Sequence, residues 1–166
     1  MTPLRIRFNL FSLIIILLLL NGCARRPPKP LIQQHNPQAA EKNPIFEKME
    51  QELVGYLGIP YKYGGTNSSG FDCSGMVWKI YRDVAGIRLP RSAGDMYNFG
   101  YPVNRGKWRF GDLLFFSTKG RGISHVGIYL GALRFQHVSS SAGTIVSSLE
   151  EDYYRKRFIG ARRIIR

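Results

Sequence analysis

Three side chains in this sequence have the types and spacing for nucleophilic and acid–base chemistry: Cys73 within GFDCSG, His125 at the head of HVGIYL, and His137 within RFQHVSS. A thiol attacks a carbonyl as its thiolate, and it wants an imidazole to take its proton and later to protonate the leaving amine. From Asp72 the run DCSGMVWKIYRDVAG repeats apolar residues at Met76, Val77, Ile80, Tyr81 and Val84. That spacing predicts an amphipathic helix capped by Asp72 and stopped by Gly86. Cys73 then stands in the first turn, where unpaired N–H groups and the helix dipole favour thiolate. His125 and His137 fall on successive strand-like runs with Gly131 and Ala132 near the turn, so the two imidazoles can become cross-strand neighbours, one orienting the other. Other readings of the same residues stay open: Cys73 as a plain core residue, half of a disulfide, or a zinc ligand together with the two histidines. No short ligand pair of the CxxC or HxxxH kind is present, so neither a metal nor a cofactor is expected.

The elements that must position these groups can be read in turn. Ile45 to Leu57 carries a helical stripe of Ile45, Phe46, Met49, Leu53, Val54 and Leu57, with Asn43-Pro44 as cap and first turn. Gly58 to Phe71 is dense in Gly, Pro, Asn and Ser and reads as a loop. A short helix fits Ser92 to Phe99. Short runs rich in Val, Ile, Phe and Tyr at 112–116, 125–130, 133–139, 144–148 and 158–164 read as antiparallel strands joined by tight turns. Helices first and strands afterwards predict an α+β domain over 44–166.

The front of the chain bears on compartment. Arg5 and Arg7 precede a nearly continuous apolar run, Phe8 to Leu20, too short to span a bilayer comfortably. A basic start, a short apolar stretch and small residues after it form the layout of a secretory signal over 1–22. The end of this run, Leu20-Asn21-Gly22-Cys23, resembles the lipobox of bacterial lipoproteins. That resemblance implies lipidation of Cys23, acylation of the new N-terminus, and anchoring in the cell envelope; Ala24 after it implies the outer membrane, facing the periplasm. Residues 23–43, rich in proline and without apolar periodicity, read as a tether. Removing residues 1–22 leaves 144 residues with 22 basic against 11 acidic side chains, formally +11. A basic surface favours polyanionic partners, and export excludes nucleic acid as the natural one. If Cys23 is lipidated, Cys73 has no partner thiol in the chain, which calls for an explanation, and a reactive role is one.

Taken in order, PYKYGG (60–65), DCSG (72–75), LPRS (89–92), GDLLFF (111–116), HVGIYLG (125–131), F-x-H (135–137) and ARRI (161–164) resemble the NlpC-type cysteine peptidases of the bacterial cell wall. The resemblance implies a papain-like fold, with N-terminal helices packed on an antiparallel sheet. It implies Cys73 as nucleophile, His125 as general base and acid, and His137 as the group that orients His125. Tyr61, twelve residues before the nucleophile, falls where the family places a tyrosine beside the reacting carbonyl; its hydroxyl and the Cys73 N–H would form the oxyanion hole. Asp72 is assigned to capping, Arg91 and Ser92 to the rim of the substrate cleft, and Tyr63 to packing. The partner implied is peptidoglycan. The bond implied is the D-alanyl–meso-diaminopimelate crosslink, with the γ-D-glutamyl–meso-diaminopimelate bond next. A wall-binding lipoprotein without activity and an acyl transferase using the same dyad are the alternatives.

Overall fold

The computed structural model describes residues 43–166. The apolar leader, Cys23, His35 and the tether as far as residue 42 lie outside the described residues. Among the described residues no helix is long and apolar enough to cross a membrane.

Helix α1 (Pro44–Tyr56) begins where the cap signal places it. The Asn43 side chain accepts from the Ile45 N–H at 3.0 Å, and Pro44 occupies the first turn, where a missing N–H costs nothing. The loop that follows holds a small hairpin of β1 (Thr66–Asn67) and β2 (Gly70–Phe71), too short to show periodicity in the sequence. Helix α2 (Cys73–Ala85) is capped by Asp72 and ends at Gly86, whose φ of 68° is the left-handed conformation that closes a helix. Its Met76, Val77, Ile80 and Tyr81 are fully buried. Each such side chain contributes about 1.5–3 kcal/mol on leaving water, so α2 is held chiefly by its apolar face. Helix α3 (Ala93–Tyr97) is capped by Ser92.

The second half forms a six-stranded sheet from β3 (Tyr101–Pro102), β4 (Leu113–Phe116), β5 (His125–Gly131), β6 (Arg134–Ser139), β7 (Gly143–Ser148) and β8 (Phe158–Arg163). A four-residue helix α4 (Asp152–Arg155) lies between β7 and β8. The strand order is β3-β8-β4-β5-β6-β7, and every paired neighbour is antiparallel. The α+β architecture is therefore the one expected.

Both faces of the sheet are covered. Leu113, Phe115, Val126, Ile128 and Val138 join the core made with α1 and α2, while Leu114, Phe116, Phe135 and Ala161 build a second core with Trp108, Tyr154 and Phe158. All four residues of β4 are buried for this reason. At its end, Asp112 is 2% exposed and is gripped by Arg163 from β8, Nε to Oδ1 at 2.8 Å and Nη2 to Oδ2 at 2.7 Å. The Tyr81 hydroxyl donates to the Gly111 carbonyl and so ties α2 to the same corner.

Candidate active site

Cys73 opens α2, and the cap beneath it is more than a cap. Asp72 Oδ1 accepts from the Gly75 N–H at 2.6 Å and from the Ser74 hydroxyl at 3.0 Å, while Oδ2 accepts from the Gly64 N–H at 2.9 Å. Arg91 closes on both oxygens, Nη1 to Oδ1 at 3.0 Å and Nη2 to Oδ2 at 2.9 Å. Burial works against the Asp72 charge, yet the Arg91 guanidinium, the Gly75 N–H and the Ser74 hydroxyl outweigh it and hold the carboxyl below its ordinary range. Gly75 must be glycine: a Cβ there would run into the Gly65 carbonyl oxygen and lie 2.9 Å from Arg91 Nη2. A Cβ on Gly65 would in turn run into the Gly70 carbonyl oxygen. The glycines of YGG and DCSG thus let two backbone segments touch and set the height of the thiol.

The thiol lies near the start of β5, where the Val126 backbone favours its charged form. Next along the strand is His125. Gly127 pairs directly with His137, and His125 is two residues back on the same face, so the imidazoles meet diagonally. His125 Nε2 lies 3.0 Å from His137 Nδ1, with the rings at 81°. A side chain on Gly127 would crowd the space, since its Cβ would lie 2.8 Å from the Phe135 ring and 3.1 Å from His137 Cβ. With Nε2 committed to His137, Nδ1 is the ring nitrogen left to exchange a proton with the thiol.

The electrostatics correct one expectation. The helix N-terminus favours thiolate, but burial, seconded by the Asp72 carboxylate, pushes the Cys73 thiol above its ordinary value. Hydrogen bonds from Val126 and from the first-turn N–H groups only moderate the rise. Burial also lowers His125 to about 4, and burial together with the neighbouring His125 lowers His137. Burial thus disfavours the charged form of both groups and favours a neutral thiol with a neutral imidazole at rest.

Tyr61, Cys73, Arg91, Ser92, His125 and His137, which the sequence singles out, all line one open cleft of about 700 Å³. Tyr61 is 39% exposed, held in place where Lys62 N–H donates to the Phe71 carbonyl and Phe71 N–H to the Pro60 carbonyl. Slight burial, Asp72 and Cys73 raise its phenol, so the hydroxyl stays a hydrogen-bond donor. Ser92 Oγ is occupied with Asp95, accepting from its N–H at 3.1 Å and donating to its carboxylate at 2.6 Å. Tyr63 does not pack as expected: it is 86% exposed on the wall of the cleft. Among the described residues no group of three or more His, Cys, Asp or Glu side chains is disposed to hold a metal ion.

Two residues at the site went unread in the sequence. Ser147 Oγ lies 3.1 Å from His137 Nε2, and the Tyr154 hydroxyl lies 3.2 Å from the same nitrogen. Neither sits in a motif; both depend on β7 and α4 folding against β6, which no local pattern announces.

With this geometry in view, comparison with known proteins is specific. The model of the NlpC/P60 family matches residues 58–163. The chain is 41% identical over 119 residues to murein DD-endopeptidase MepH of Escherichia coli (strain K12), covering 69% of this chain and 44% of that protein. It is 45% identical over 115 residues to gamma-DL-glutamyl hydrolase of Bacillus subtilis (strain 168), covering 68% and 28%. Over 156 residues it is 36% identical to the probable endopeptidase NlpC of E. coli, covering 93% of this chain and 99% of that one. It therefore spans less than half of the first two relatives and nearly all of the third. Among solved structures, an NlpC/P60 family protein from Bacillus cereus superposes with a TM-score of 0.68 at 30% identity, over 73% of this chain and 40% of its own.

Proposed function

This chain belongs to the NlpC/P60 family, and from that premise we propose that it is a peptidoglycan endopeptidase working by a Cys-His-His mechanism. The observation that carries the reading is the 3.0 Å hydrogen bond between His125 Nε2 and His137 Nδ1, with Cys73 lining the same open cleft. In the mechanism, His125 Nδ1 takes the thiol proton as Sγ attacks the scissile carbonyl carbon. The Tyr61 hydroxyl and the Cys73 N–H receive the developing oxyanion. His125 then gives its proton to the leaving amine, and the acyl-enzyme is resolved by a water that His125 deprotonates. A neutral resting pair suits this order of events, because the base is free to accept when substrate arrives.

The bond we assign is the D-alanyl–meso-diaminopimelate crosslink, supported by the DD-endopeptidase name of MepH. The γ-D-glutamyl bond, toward which the B. subtilis name points, is the competing target. Digestion of purified peptidoglycan with wild-type protein and a folded Cys73→Ala variant, followed by mass spectrometry, tests both claims. Crosslinked dimers should become intact tetrapeptide monomers only with wild type. Release of dipeptide stems would move the target to the γ-glutamyl bond, and equal activity of the Cys73→Ala variant would remove the peptidase assignment.

The reading extends to placement in the cell: lipidation at Cys23, export, and attachment at the outer membrane with the domain in the periplasm. The support is the apolar run ending in LNGC and the proline-rich segment after it. Cys23→Ser should move the protein from the membrane to the soluble fraction with unchanged specific activity. Wild-type protein carrying no lipid in its native host would overturn this placement.

A further inference from the structure

We propose that Ser147 and Tyr154 are positioning residues that fix the tautomer of His137 and, through it, the tautomer of His125. The proposal rests on the cysteine-peptidase reading for its kinetic consequence, but its structural content stands on the histidine pair alone.

The starting point is a buried ring with two nitrogens to satisfy. His137 is 1% exposed, stacked on Phe135 at 27° and set edge-on to Tyr154. Buried ring nitrogens of this kind require partners. Nδ1 has His125 Nε2; Nε2 has two hydroxyl oxygens, Ser147 at 3.1 Å and Tyr154 at 3.2 Å. Ser147 is 8% exposed, whereas Tyr154 lines the cleft. His137 therefore bridges His125 on one side and two hydroxyls, Ser147 and Tyr154, on the other.

Only one direction of hydrogen bonding through this bridge is useful for catalysis. If the His137 proton sits on Nδ1, it is donated to His125 Nε2, and the His125 proton is driven onto Nδ1, the nitrogen that must accept from the thiol. If it sits on Nε2, the Ser147 or Tyr154 oxygen accepts it. His137 Nδ1 then accepts from His125 Nε2–H, and the lone pair on His125 Nδ1 stays free. Without either hydroxyl, an Nε2–H on His137 would lose both of these acceptors, and the unproductive tautomer, whose Nδ1–H still finds His125, would gain in population. Imidazolium formation at His125 gains from the same arrangement, since the polarised His137 passes part of the charge toward two oxygens.

The two substitutions needed are conservative in shape. Tyr154→Phe keeps the ring against His137 and Phe135, and Ser147→Ala removes one oxygen. The measurement is long-range proton–nitrogen NMR of histidine-labelled full-length protein, which reads the tautomer without substrate. Wild type and each single variant should show His137 protonated on Nε2, because one acceptor suffices. The folded double variant should switch to Nδ1–H, and its kcat should fall about 10- to 100-fold at unchanged KM, the population penalty of an unsatisfied buried N–H. Adding Ser147→Thr to the Tyr154→Phe background should keep the wild-type tautomer and kcat. A double variant that retains Nε2–H, or a wild type already protonated on Nδ1, overturns the proposal. Should wild-type protein cleave no peptidoglycan, the functional reading falls, and the tautomer measurement still decides this one.

Discussion

Arg91 and Asp72 meet as a two-pronged ion pair beneath the nucleophile, with both guanidinium Nη atoms within 3.0 Å of the carboxylate oxygens. The Arg91 charge is therefore already engaged, although the residue also lines the cleft. Its removal leaves the Asp72 carboxylate beside the thiol without its neutralising charge, and that carboxylate already raises Cys73. Arg91→Ala should lower kcat, roughly tenfold for each unit by which the thiol rises further, with little change in KM. Steady-state kinetics on a defined muropeptide decides: a rise in KM alone would mean that Arg91 holds a substrate carboxylate instead.

The pH profile should carry the mark of a neutral resting pair. Alkylation of Cys73 by iodoacetamide should rise steadily from neutral into alkaline pH, without the neutral plateau of a standing thiolate. The acid limb of kcat/KM should follow His125 and fall near pH 4, because protonation there removes the base. An acid limb at 6.5, the ordinary imidazole value, would contradict the burial argument.

Stability should respond to acid through the same two histidines. Their folded pKa values are depressed, His125 to about 4 and His137 also downward from 6.5, so the unfolded chain binds protons that the folded chain refuses. Stability is then fully present above pH 6.5 and is lost as pH falls toward 4, with a slope of up to about 1.4 kcal/mol per pH unit for each histidine. Urea unfolding of Cys73→Ala protein between pH 7 and 4.5 measures this. His137→Gln should flatten the slope; an unchanged slope would place the acid sensitivity elsewhere.

Gly75→Ala should be far more harmful than an ordinary helix-favouring substitution. Alanine is the better helix former, but its Cβ would meet backbone at Gly65, which has nowhere to move. A loss of about 1–3 kcal/mol is expected from the forced shift, together with a drop in activity because Cys73 moves with the helix. Thermal melts alongside kinetics check both; a stabilised, fully active variant would show that the two segments can separate freely.

Asp112 and Arg163 should behave as a pair. Removing either alone strands its partner at a site where Asp112 is 2% exposed, a loss of about 3–5 kcal/mol. The double variant Asp112→Leu/Arg163→Met should cost clearly less than the sum of the two single changes. Additive losses in denaturant titrations would show that the two charges act independently.

What the sequence discloses about this molecule is local. Asp72 as cap, Gly86 as stop and the apolar stripe of α2 are signals written within one or two turns, and the helix lies there. The diagonal meeting of His125 and His137 is legible because one short hairpin fixes it. Contacts such as Arg91 to Asp72, Asp112 to Arg163, and Ser147 and Tyr154 to His137 join segments whose approach is set by the whole sheet, so no spacing reveals them. The thiol's state shows the same divide. The helix terminus that favours charge is visible in the sequence, while the burial that opposes it belongs to the tertiary structure. Strand β3 and helix α4 escape notice because two and four residues are too few to display a period.

Cys73 is carried by a helix and His125 by a strand, and the two are brought together where α2 docks at the head of β5. No fragment of this chain holds both halves of the reaction in register. A molecule in which α2 has come away from β5 keeps both side chains but loses their approach. On the proposed reading, turnover then serves as a direct gauge of the fraction of molecules in which this docking is complete.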